Sequence, residues 1–107
     1  MDPQDLVEIE QIKQLKARYF RLMDTRQWDE WRECFAEDVR IRIELGRGEP
    51  DQVNTGREEF VESVSQVLEP TRTVHHGHMP EIELTGTDTA RGIWAMYDYV
   101  TWDSERD

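Results

Sequence analysis

All three histidines of this chain fall within four residues, His75-His76-Gly77-His78, and the next six, Met79 to Leu84, turn into a strand-like run. Histidine is the only side chain whose unperturbed pKa lies near neutrality, so the cluster points to proton transfer or to a metal. If the segment is extended, His76 and His78 share one face and His75 points the other way. About twenty residues on, Asp98 lies in phase with Trp94, Met96 and Val100 in an apolar strand pattern. A carboxylate there is costly unless it is hydrogen-bonded, paired or facing a pocket. Its bland reading is a rim carboxylate or a cap on a backbone amide. Its functional reading is an acid, a base or the group that orients a histidine.

Other candidates are weaker on spacing alone. Tyr19 falls on the buried stripe of a helical pattern, where a phenol usually finds a partner. Asp24 is most simply the cap of a following helix, with Gln27 three residues later as in a capping box. Cys34 has no assigned base and reads as packing. His-x-His with a carboxylate leaves a metal open, although ligands of these types form no specific signature. Serine-hydrolase elbows, phosphate-binding loops, dinucleotide glycine fingerprints and paired zinc cysteines are all missing. Cofactor-free acid–base chemistry fits that inventory best, with no metal and no cofactor called for.

These groups need positioning elements. Ile9, Ile12, Leu15, Tyr19 and Leu22-Met23 recur at helical spacing and predict a helix over about 5–23. Trp28, Trp31 and Phe35 give a short second helix an aromatic face. Val39, Ile41, Ile43 and Leu45 alternate with polar residues as in a half-buried strand, which Gly46 to Pro50 breaks. A third helix starts near Arg57, buries Phe60, Val61, Val64, Val67 and Leu68, and stops at Glu69-Pro70. Ile82 and Leu84 mark a strand, Gly86 to Thr89 a turn, and Ala90 to Trp102 one long strand. That order predicts an α+β fold with helices gathered on one face of a sheet. The long strand is apolar on both faces, and a dimer interface is the simple way to cover the second. Residues 103–107 read as a hairpin turn with no return strand.

Composition narrows the classes. The 107 residues make one domain, 1–107. A net charge of −11 argues against nucleic acid and against an anionic membrane surface. A lone cysteine permits no internal disulfide and fits a reducing, cytoplasmic setting. Neither a signal-peptide core nor a run long enough to span a bilayer is present.

Taken together, Ile12 to Asp24, Trp28-Asp29-Glu30-Trp31, His75 to Ile82 and Ala90 to Trp94 resemble the SnoaL-like branch of the nuclear-transport-factor-2-like superfamily. The likeness is nearest to its bile-acid 7α-dehydratases and scytalone dehydratase-like members. It implies a cone-shaped, curved antiparallel sheet wrapped by N-terminal helices, with a pocket for a hydrophobic small molecule. It also implies a homodimer or higher homo-oligomer. Tyr19 and Asp24 match a Tyr-Phe-Arg-x-x-Asp run, His75 opens a His-x-Gly-His-x-Pro-Glu-Ile run, and Asp98 follows a Gly-x-Trp stretch at the family offset. By that resemblance His75 is the general base and Asp98 binds its other ring nitrogen. Tyr19, with Asp24, donates to a developing oxyanion or assists a leaving hydroxyl. The implied activity is a cofactor-independent dehydratase (lyase) acting on a cyclic hydroxy-ketone of steroid or polyketide type. A ketosteroid-type isomerase, a polyketide cyclase, or a non-catalytic binding or assembly module are the alternatives. The family's final strands have no counterpart before Asp107, so the expected cone is open at its C-terminal side.

Overall fold

The computed structural model describes residues 2–102. Helix α1 (Pro3–Asp24) opens with a reciprocal cap: the Asp2 carboxylate accepts from the Gln4 N–H at 2.8 Å, and Asp5 reaches back to the Asp2 N–H. Pro3 sits in the first turn, where its missing N–H costs nothing. The helix therefore starts two residues before its apolar periodicity suggests. At the far end, the Gln27 N–H bonds the Leu22 carbonyl at 2.9 Å and the Arg26 N–H bonds that of Met23 at 3.1 Å. This is the two-bond helix terminator that usually places glycine in the left-handed conformation. Here Arg26 takes it, with φ of 56°. Its guanidinium donates to the Thr71 carbonyl at 2.5 Å, tying the helix end to the strand beside it.

The remaining elements are α2 (Trp28–Arg32), β1 (Arg40–Ile43), β2 (Gln52–Thr55), α3 (Arg57–Leu68), β3 (Thr71–Gly77), β4 (Glu81–Leu84), β5 (Ala90–Ile93) and β6 (Met96–Trp102). The fold is α+β, as its pattern predicts. The strands run as antiparallel pairs, β1 with β2, β3 with β6 and β4 with β5, and close no barrel among the described residues. Residues 103–107, read above as a hairpin turn, lie outside the described residues.

Two expectations need correcting. The anticipated strand from Ala90 to Trp102 is broken at Trp94-Ala95, because β5 belongs to β4 while β6 belongs to β3. Gly92 makes the bend possible: a Cβ there would come within 2.4 Å of the Trp94 ring, which folds back over it. The break ends the shared parity of Trp94 with Met96. Second, β2 was not anticipated. Its Gln-Val-Asn-Thr sequence carries one apolar residue, Val53, which stays 48% exposed.

Trp31 is the centre of the core, with none of its surface exposed. Phe35 meets it edge-on at 4.9 Å, and Tyr19 and Phe60 lie 5.6 and 5.7 Å away. Leu22 and Met23 bring α1 into the same cluster, and Phe60 and Val61 bring α3. The core thus lies among the three helices and locks the end of α1 against β3. Away from it, β6 is open on both faces, with Tyr97 70% and Tyr99 58% exposed on one and Met96 47% and Val100 40% on the other.

Candidate active site

Alternation along β3 sorts the histidines. Thr71 and Thr73 are buried against the helices, and His75 follows them in phase, so its side chain faces the same way with 10% of its surface exposed. His76 points outward, where its ring lies edge-on to Tyr97 at 6.4 Å. His78 falls beyond the strand; its N–H bonds the Ala95 carbonyl at 2.9 Å, and the residue is exposed. Only His75 turns inward.

Asp24 meets it from the last turn of α1. One carboxylate oxygen accepts from the Thr73 hydroxyl at 2.9 Å and lies 2.5 Å from His75 Nδ1. The other accepts from the His75 backbone N–H at 2.9 Å. The Asp24 side chain is 19% exposed. Asp24 therefore does not cap α2, whose N-cap position is Gln27 with no side-chain cap bond. Three donors on β3 hold its carboxylate instead.

That contact defines the tautomer. An ionised carboxylate only accepts, so Nδ1 carries a proton, and in the neutral ring the lone pair is on Nε2. Phe20 stacks on the imidazole at 6.0 Å with an interplanar angle of 14°. It reaches that position over Gly77, where a Cβ would lie 2.4 Å from the Phe20 ring.

Asp98 is paired directly opposite His75 in the β3–β6 register. Directly opposed residues of an antiparallel pair share a face, and the Asp98 carboxylate stands 4.0 Å from His75 Nε2. That is beyond hydrogen-bond range but close enough for its charge to be felt. The resemblance placed Asp98 on the ring's second nitrogen; in the structure the bonded carboxylate is that of Asp24, and Asp98 flanks the free nitrogen.

Tyr19 packs against Trp31 and Phe35 on the neighbouring turn of α1. Burial raises its phenol pKa above the ordinary value, and the negative charge of Asp98 raises it further, with Cys34 adding to both. Tyr19 therefore stays a hydrogen-bond donor through neutral and mildly alkaline pH. Burial likewise pushes the Cys34 thiol pKa up, with nearby Arg18 opposing the shift, which fits packing rather than nucleophilic chemistry.

Lys16 escaped the sequence reading. It sits among Lys13, Gln14 and Arg18 on what looks like a solvated helix face. Its ammonium instead lies 4.0 Å from the Tyr19 ring centroid, 5.0 Å from that of Phe20 and 5.6 Å from that of Trp94. Burial lowers its pKa, and Asp98 partly restores it. The only sequence signal was its place one turn before Tyr19. A cavity of about 270 Å³ runs along this wall, lined by Ile12, Leu15, Lys16, Tyr19, Phe35 and Trp94 among others. Among the described residues no three His, Cys, Asp or Glu side chains gather as a metal ion would need. No described helix is long and apolar enough to cross a membrane.

Against known structures, the chain is similar to a candidate scytalone dehydratase of Novosphingobium aromaticivorans, with a TM-score of 0.82 and 19% identity over 95% of this chain and 66% of that one. It is also similar to the β subunit of benzoate 1,2-dioxygenase from Burkholderia mallei, with a TM-score of 0.72 and 19% identity over 95% of this chain and 70% of the other. A Catenulispora acidiphila protein in complex with S-DNPA gives a TM-score of 0.68 and 19% identity, over 92% and 71%. The chain thus spans about two thirds of the length of these proteins. At such identities the likeness concerns fold. The family model of the SnoaL-like domain matches residues 4–107, and the chain belongs to that family.

Proposed function

We propose that this domain is a cofactor-independent dehydratase acting on a cyclic β-hydroxy-ketone of polyketide or steroid type. One observation carries the reading: the Asp24 carboxylate lies 2.5 Å from His75 Nδ1, so that in the neutral ring Nε2 is the base, 4.0 Å from the Asp98 carboxylate. In this scheme Nε2 removes the proton on the carbon next to the ketone. The electron pair of that C–H bond moves toward the carbonyl and forms an enolate. Collapse of the enolate expels the β-hydroxyl, which takes up the proton from His75 and leaves as water, so the product is an enone and the imidazole is neutral again. Asp24 keeps the ring oriented and, with Asp98, stabilises the imidazolium while it exists. Tyr19 is the donor to the enolate oxygen, a role that its raised pKa suits.

The test is product mass. Scytalone and a 3-oxo-4-ene steroid hydroxylated β to its ketone, offered to the purified protein, are expected to lose water in a reaction that His75→Ala slows by ~10²–10⁴-fold. A product of unchanged mass would mean isomerisation with the same base. No turnover of any cyclic β-hydroxy-ketone would remove the proposal. The likeness to a dioxygenase β subunit favours a second reading, a ligand-binding or assembly module of the same fold. The open faces of β6 favour pairing with a second copy.

A further inference from the structure

The feature that the proton-transfer scheme leaves unused is Lys16. An ammonium brought against aromatic surface loses hydration, and burial weakens its hold on its proton. Such a group ordinarily recovers the loss through a bonded carboxylate. Among the described residues Lys16 makes no ion pair; its ammonium has the faces of Tyr19, Phe20 and Trp94 and only the field of Asp98. It also stands where two grooves meet. On one side is the apolar cavity of about 270 Å³ with Ile12, Leu15 and Phe35; on the other, one of about 330 Å³ with Phe20, Met79 and Pro80. Lys16 and Trp94 line both.

We infer that Lys16 is the charge-selecting residue of this site, and that the preferred ligand is a flat, fused-ring molecule bearing a carboxylate. The ring body fills the apolar groove beside Tyr19 and Trp94, and the carboxylate takes a position next to the ammonium where none of the described residues forms an ion pair. Each groove, at about 330 and 270 Å³, has room for a fused two-ring skeleton, which fits a compact aryl acid. The inference rests on the small-molecule reading above and names its substrate class. It does not depend on dehydration taking place, because it is a statement about binding.

The experiment uses 2-naphthoate and its neutral isostere 2-naphthamide, with the quenching of tryptophan fluorescence as the readout of Kd. The wild-type protein is expected to prefer the carboxylate by roughly 10-fold or more, the scale of one hydrogen bond to a charged partner. Lys16→Met loses the preference while still binding the amide, and Lys16→Arg keeps it. Arg47→Met, an exposed cation between β1 and β2 that lines neither groove, leaves it unchanged. If Lys16→Met does not fold, Lys16→Gln gives the same comparison. Equal binding of acid and amide by the wild type overturns the inference, as does absence of binding by either. A preference that survives Lys16→Met, or that disappears in Arg47→Met, overturns it too. Turnover is read separately by product mass, so a site that selects carboxylates without catalysis would refute the dehydratase and leave the role of Lys16 standing.

Discussion

Replacing Asp24 by asparagine keeps the shape of the side chain but gives it a donor where the carboxylate has only acceptors. Three hydrogen bonds reach that carboxylate: Thr73 at 2.9 Å, His75 Nδ1 at 2.5 Å and the His75 backbone N–H at 2.9 Å. The backbone N–H can only donate, so the Asn carbonyl must take its place opposite that group. The amide NH2 then faces Thr73 and Nδ1. Thr73 can turn its hydroxyl to accept, and Nδ1 can accept only by giving up its proton to Nε2. Asp24→Asn is therefore expected to switch the neutral tautomer of His75 and to remove the free lone pair from Nε2. Charge-assisted bonds are roughly twice as strong as neutral ones, so the stability loss is about 1–2 kcal/mol. Asp24→Ala strands the two His75 donors at about 1–3 kcal/mol each. Because the Asp24 side chain is 19% exposed, water relieves part of this, and about 2–4 kcal/mol is expected. The assay is nitrogen-15 NMR of the imidazole with the ring neutral, beside denaturant unfolding. An asparagine variant that keeps its proton on Nδ1, or an alanine variant as stable as wild type, would refute the reasoning.

The other expectations are quickly tested. In an ultraviolet titration Tyr19 ionises above the ordinary phenol value of about 10, and Tyr19→Phe removes that step. Because the folded state holds this proton after the unfolded chain has released it, Tyr19 contributes stability that is present below about pH 10 and is lost as pH rises through the folded value. Unfolding midpoints above pH 10 should fall less steeply in Tyr19→Phe. Trp31→Ala removes the fully buried centre of the aromatic cluster and should cost about 3–5 kcal/mol by urea unfolding. Gly77→Ala drives a methyl into the Phe20 ring, so a loss of about 1–3 kcal/mol is expected, with a shift of the His75 ring resonances.

Elements with strong local periodicity were legible from sequence. The stripe from Ile9 to Met23 and the Phe60-Val61 face gave α1 and α3, and α3 does end at Leu68, beside Glu69-Pro70, although Glu69 keeps helical angles (φ −53°, ψ −44°) rather than the extended ones expected before a proline. The strand parity of His75 against His76 also follows from alternation alone, and it correctly separates the inward from the outward ring. What spacing cannot show is which carboxylate that inward ring meets. Asp24 and His75 lie 51 residues apart, and they meet where the end of α1 packs against β3, an end that Arg26, left-handed without being glycine, ties to the Thr71 carbonyl. No local rule flags an arginine there. The break at Trp94 is similarly hidden, since an apolar run of strand formers conceals a change of pairing partner that only Gly92 hints at. Lys16 was invisible for the opposite reason: a charged residue among charged neighbours looks solvated until its rings are in place.

The central claim is that His75 Nε2 is the base. The most direct measurement is the rate of water loss from a cyclic β-hydroxy-ketone by wild type and by His75→Ala, with circular dichroism showing both folded. A positioned base typically contributes ~10²–10⁴-fold, and a fall of that size is the expected result. A folded His75→Ala protein that turns over within a few fold of wild type would contradict the account.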